Sequence, residues 1–183
     1  MIRIPAALLL LLPLAAGDAP PALNEERAKV TLKAGIHPAQ IMYSAGNYTD
    51  VDGDGRGEHG LIEQLTTPSR QLVKLPVGPD PVLHGYRYRI YLATGPGMAS
   101  SSSAAIAAAI DYDAVSDRET YYIAYAWPVA ATAGSKVFAL RQAGILYQRP
   151  VSATAVPAWD DLARGWTDSA PLNAGWTLVP PRR

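Results

Sequence analysis

The chain has 183 residues, the size of one domain, with 49% hydrophobic and 17% charged residues, so it can bury a core and is not disordered by composition. Lysine plus arginine equals aspartate plus glutamate, for a formal charge of zero. That excludes the basic surface a nucleic-acid binder needs and gives no pull toward anionic membranes. No cysteine is present, so stability rests on packing and ion binding rather than on disulfides.

The chain opens with MIRIPAALLLLLPLAAGDAPPA. Arg3 supplies the basic start, and the apolar run Ala6–Ala16 is too short to span a bilayer but suits a signal peptide. Ala15 and Gly17 fit the small-residue rule, so residues 1–17 read as a signal peptide cleaved after Gly17, with an uncleaved anchor as the alternative. The expected location is exported, periplasmic or extracellular, with no integral membrane span in the mature chain. Residues 18–22 read as a Pro/Ala linker, and residues 23–183 as a single domain with a core at 24–149 and a tryptophan-containing tail at 150–183.

A helix follows. Asn24 is placed to be its N-cap, with Glu25 and Glu26 in the first turn, where carboxylates suit the helix dipole. Ala28, Leu32, Ile36, Ala39, Met42 and Tyr43 recur at helical spacing. Pro38 predicts a kink or break near Ile36–His37, and Gly46–Asn47 the end of the helix.

The next stretch, Asp50 to Gly60, reads DVDGDGRGEHG. Calcium takes six to eight oxygen ligands in flexible geometry, and carboxylates alternating with glycines supply them. Asp50, Asp52, Asp54 and Gly55 match the first, third, fifth and sixth positions of an EF-hand loop. Arg56 would offer its backbone carbonyl at the seventh, and Glu58 falls at the ninth. The twelfth position, where the closing glutamate belongs, is Leu61, and Glu63 comes two residues late. The expected metal set is therefore Asp50, Asp52, Asp54, Arg56 and Glu58, a variant calcium loop closed by Glu58, Glu63 or water. The competing reading is an acidic turn held by Asx hydrogen bonds and left-handed glycines.

Leu61, Ile62 and Leu65 face inward from a short helical turn, and residues 66–84 are irregular and proline-rich. Strands come next. In GYRYRIYLAT, Tyr86, Tyr88, Ile90 and Leu92 alternate with Arg87, Arg89 and Tyr91. In TYYIAYAWPV, Tyr121, Ile123, Tyr125 and Trp127 form one face, and Ala124 and Ala126 on the other are small enough to admit a helix. KVFALRQAGILYQR reads as a hairpin turning at Gln142–Gly144. The Ser/Ala-rich segment at 95–118 reads as a loop with a helical patch, and the tail as packing back on the sheet. Helix followed by strands predicts an α+β domain, the helix packed on a three- to four-stranded antiparallel meander.

Together, DVDGDGRGEHG, GYRYRIYL, YAWP and KVFALRQAGILY stand in the same order as in pseudopilin-G-like bacterial proteins. Over roughly residues 25–149 the chain resembles the globular domain of type IV pilins and type II secretion pseudopilins. The resemblance implies a pilin-like fold and an exported, non-enzymatic module with protein partners in a cell-envelope or secretion assembly. One departure is plain: no glycine precedes a long hydrophobic helix with a glutamate five residues in, so the family's prepilin-peptidase site and filament stalk find no match.

No catalytic residue is assigned. A glycine-rich, wet acidic loop has no apolar wall to raise a carboxyl pKa, no GxSxG elbow occurs, and none of His37, His59 and His84 lies in a metalloprotease motif. A second functional class is a carbohydrate- or polymer-binding module using Arg87, Arg89 and Tyr91 with Trp127, Trp159, Trp166 and Trp176. Burial of the tail tryptophans would remove that platform.

Overall fold

The computed structural model describes residues 19–151, 156–163, 165 and 171–180. The signal peptide at 1–17 and Trp166 lie outside the described residues. No helix among the described residues is long and apolar enough to cross a membrane.

The first helix starts earlier than Asn24 and inside the expected linker. α1 covers Pro21–Val30, entered from Pro20, whose fixed φ suits the approach to a helix. Asn24 is therefore not the cap. It lies buried inside α1 and donates from Nδ2 to the carbonyls of Ala19 and Ala133, at 3.1 and 3.3 Å. Glu25 and Glu26 fall beyond the first turn. Glu25 instead accepts from the backbone N–H and hydroxyl of Ser135, at 2.9 and 2.8 Å. These bonds tie the start of the helix to the sheet.

At the expected kink or break near Ile36–His37 the helix changes pitch and continues. A π-helical turn, Thr31–Ile36, links α1 to α2, His37–Ala45, in one continuous rod. The N–H of His37 reaches back five residues to Leu32 O. The wider turn absorbs the missing N–H and the ring of Pro38 without ending the helix. Ala28, Leu32, Ile36, Ala39 and Tyr43 all face the core. Met42, expected in this stripe, is 56% exposed, because a step of one residue from Tyr43 turns it about 100° away. Asn47 leaves the helix at φ 49°, so the expected Gly46–Asn47 end is right.

A short helix, α3 (Ile62–Leu65), follows the acidic loop, with Leu61, Ile62 and Leu65 buried as expected. The strands are β1 (Val82–Leu83), β2 (Tyr86–Gly95), β3 (Met98–Ser100), β4 (Ile123–Pro128), β5 (Lys136–Arg141), β6 (Leu146–Pro150) and β7 (Thr177–Leu178). They form one antiparallel sheet in the order β1-β2-β4-β5-β6-β7, with β3 folded back on β2. The long strands β2, β4, β5 and β6 are the expected meander. The added β1, β3 and β7 are two- or three-residue edges, too short to show any alternation. The segment between β3 and β4 is also more regular than a loop. It forms α4 (Ser103–Ala108), capped by Ser102, and α5 (Tyr112–Thr120), capped by Asp111.

Both faces of the sheet are covered. Tyr86, Tyr88, Ile90, Leu92, Ala124, Ala126, Phe138 and Leu140 face the long helix, with the alanines giving it room. On the other face, Tyr91, Ile123, Tyr125, Trp127, Val137 and Tyr147 pack under the tail residues Leu162, Ala163 and Trp176. Polar bonds secure the tail. Tyr91 Oη donates to Pro157 O at 2.7 Å, Leu162 N–H donates to Tyr125 Oη at 2.9 Å, and Trp176 Nε1 donates to Asp161 O at 2.8 Å.

Candidate metal centre

The loop between α2 and α3 is built on its own aspartates. Asp50 accepts from Gly53 N–H at 2.8 Å through Oδ1, and from Gly55 N–H and Asn47 Nδ2 at 3.1 Å through Oδ2. Asp52 accepts from Asp54 N–H at 3.3 Å, and Asp54 from Arg56 N–H at 2.7 Å. Gly53 and Gly55 hold φ of 73° and 89°, which a side chain would strain. The turn thus carries the Asx bonds of the competing reading, and it also gathers ligands. One carboxylate oxygen from each of Asp50, Asp52 and Asp54 lies within 4.8 Å of the others. The Asn47 amide, joined by the N–H groups of Gly53 and Gly55, holds the Asp50 carboxyl below the usual aspartate range, so it stays ionised.

The other two expected ligands stand differently. Arg56 donates its backbone N–H to Asp54 Oδ1 at 2.7 Å. Glu58 is outside the group of three aspartates. It is 1% exposed, lies beneath the loop, and accepts from Val51 N–H at 3.0 Å through Oε1. Glu63, the other candidate for closing the loop, is also outside the group.

A further carboxylate comes from far along the chain. Glu119, at the end of α5, has its pKa raised by partial burial and then by the charges of Asp54 and Asp52. No spacing rule marks Glu119. It reaches the loop because the N–H of His59 donates to Arg118 O at 2.9 Å, which brings the end of α5 alongside.

The base of the loop is fixed at four points. Glu58 N–H donates to Thr49 O at 3.0 Å, closing the loop on itself. Gly57 passes so close to the helix that a Cβ there would sit 2.3 Å from Ser44 O. Tyr43 Oη and Thr49 Oγ1 are 2.8 Å apart. Gln40, fully buried, pairs its side-chain amide with the backbone of Gly60. Its Oε1 accepts from Gly60 N–H at 2.8 Å and its Nε2 donates to Gly60 O at 2.7 Å. His59 turns inward and meets Tyr122 edge-on, with ring centroids 4.8 Å apart. Burial pushes its pKa down to about 4, so it is neutral at pH 7 and belongs to the packing.

Three converging carboxylates with no nitrogen or sulfur ligand among them suit a hard cation of the calcium type rather than zinc or copper. Backbone N–H groups satisfy some of the carboxylate lone pairs, and others remain for a cation. Compared with protein-family models, with curated proteins and with solved structures, the chain matches none.

Replacing Gln40 by leucine leaves the buried N–H and C=O of Gly60 unpaired, at about 1–3 kcal/mol each. Gln40→Leu is expected to lower the unfolding free energy by that amount, read by urea denaturation. An unchanged midpoint would show that the pairing does not hold the loop.

Proposed function

We propose that this chain is an exported, non-enzymatic interaction module of pilin-like fold, whose acidic loop is held by calcium and which works with a cell-envelope or secretion assembly. The observation that carries the calcium reading is the approach of Asp50, Asp52 and Asp54 to within 4.8 Å at the junction between the helix and the rest of the fold. Like charges this close repel, and a divalent cation reverses the sign of the interaction. Glu119 adds to the same negative field. The role of the ion is structural: it fixes the end of the long helix against α5. Glu58 braces the loop from below through Val51.

The pilin-like reading is supported by a long N-terminal helix lying on one face of an antiparallel meander, with the acidic loop between them. An assembly partner is supported by the ordered resemblance of the loop and strand motifs. The polymer-binding alternative loses ground on packing. Trp127 and Trp176 are buried, Trp159 is half-buried against the same cluster, Tyr91 is spent on Pro157, and Arg89 is paired with Asp80.

Millimolar calcium is expected to raise Tm over chelator by about 5–10 °C at about a hundredfold the Kd, and the Asp52→Ala/Asp54→Ala variant to lose the shift. No shift in the wild type, or an equal shift in the variant, contradicts the calcium reading. Affinity capture from envelope extracts with calcium present is expected to recover a component of a secretion or pilus assembly. Recovery of none contradicts the partner reading and leaves the calcium result standing.

A further inference from the structure

Asp52 and Asp54 are each followed by glycine, and Asp52–Gly53 and Asp54–Gly55 are the two Asp–Gly bonds of the chain. Aspartate before glycine is the pairing most open to attack of the backbone on the side chain, because no Cβ shields the glycine nitrogen and the backbone turns freely there. Both bonds lie on the surface, with residues 51–56 all exposed. A Cβ built on Gly53 or Gly55 would meet nothing within 4 Å, so packing does not restrain either glycine. One carboxylate does. Asp50 accepts from Gly53 N–H at 2.8 Å through Oδ1 and from Gly55 N–H at 3.1 Å through Oδ2. Each of its oxygens therefore holds the nitrogen that would attack one of the two neighbouring aspartates.

In that attack the Gly53 nitrogen forms a bond to Cγ of Asp52, a Cγ–O bond breaks, and the carboxyl hydroxyl leaves as water with the N–H proton. The product is a five-membered succinimide. Water then adds back. Opening at Cγ restores aspartate, while opening at the main-chain carbonyl breaks that C–N bond and leaves isoaspartate, with the chain running through Cβ and Cγ. Nothing is oxidised or reduced, and the final mass is unchanged. Gly55 and Asp54 react in the same way. Asp50 opposes both attacks. A charge-assisted hydrogen bond must break first, and a nitrogen stripped of its proton would face a carboxylate 2.8–3.1 Å away. A carboxylate, with an ordinary pKa of about 3.9, is too weak a base to take an amide proton itself. We infer that Asp52–Gly53 and Asp54–Gly55 are sites of slow spontaneous rearrangement to isoaspartate, and that Asp50 holds both in check by occupying the two glycine N–H groups. Each rearrangement adds a methylene to the backbone and shortens the carboxylate stem, which undoes the Asx bonds from Asp54 N–H to Asp52 and from Arg56 N–H to Asp54. The inference needs no bound cation and stands apart from the calcium reading.

The test ages the full chain in chelator at physiological temperature for weeks and then digests it with a protease that cuts before aspartate but not before isoaspartate. Mass spectrometry of the uncut loop peptides reads each site separately. Wild-type protein is expected to accumulate isoaspartate at Asp52 and Asp54 ahead of its other aspartates. Asp50→Ala should speed both sites about tenfold, the factor that losing one charge-assisted hydrogen bond represents in a rate. Gln40→Leu loosens the base of the loop but leaves both Asp50 bonds in place, so it should age at the wild-type rate. If Asp50→Ala does not fold, Asp50→Asn decides, because its one acceptor oxygen can hold one glycine and should leave a single site accelerated. Equal rates in wild type and both Asp50 variants, no isoaspartate at either site, or the same acceleration by Gln40→Leu would each overturn the inference.

Discussion

Gln40 and Gly60 meet like two strands of a ladder, one side-chain amide against one backbone amide, both buried. A buried polar side chain on a helix is costly unless both its donor and its acceptor are used, and here both are. The position of the acidic loop depends on that match. Gly60 is where the loop returns to the core, and a Cβ at Gly60 would press on Leu65 and Tyr43 at 3.2 Å. With Gly60 held, Gly57 lies against the Ser44 carbonyl, and the aspartates stand over the end of the helix.

The match requires the helix to continue past Pro38. Had the proline ended it, Ala39, Gln40 and Tyr43 would not follow Leu32 and Ile36 along one face. The π-helical turn keeps them in line by giving His37 an acceptor five residues back. One irregular turn therefore links the N-terminal stripe, which packs on the sheet, to the C-terminal turn, which anchors the loop. The sheet answers with Ala124 and Ala126 on its helix-facing side, small enough for the helix to lie close. The opposite side is covered by Leu162, Ala163 and Trp176 of the tail, while the acidic loop stays exposed.

Much of this was legible in the chain, and the limits have physical causes. The stripe Ala28–Tyr43 and the alternation in β2 and β4 are local periodicities, and they placed the helix and the central strands correctly. Met42 was misplaced because three- and four-residue steps leave one residue of leeway on a helix face. Pro38 predicts a kink or break near Ile36–His37, and the irregularity falls there, but the rule for α-helix interiors does not say that a widened turn can carry the helix through. β1, β3 and β7 are set by partners distant in sequence and leave no pattern of their own. In the loop, the three aspartates were legible because their ligand spacing is local. Glu58 was expected among them, but the loop folds it beneath. The contributions of Gln40, Glu119 and Arg118 arise only when the helix, α5 and the loop meet in space.

The central claim is that the three aspartates form a cation site that fixes this junction. The most direct measurement is a crystal structure grown in millimolar calcium, with anomalous scattering used to identify the ion. The account predicts one calcium with oxygens of Asp50, Asp52 and Asp54 at about 2.3–2.6 Å, six to eight oxygen ligands in all, and the Gln40–Gly60 pairing intact below it. Water alone among the three carboxylates at that calcium concentration, or a calcium bound elsewhere with the aspartates splayed into solvent, would contradict it.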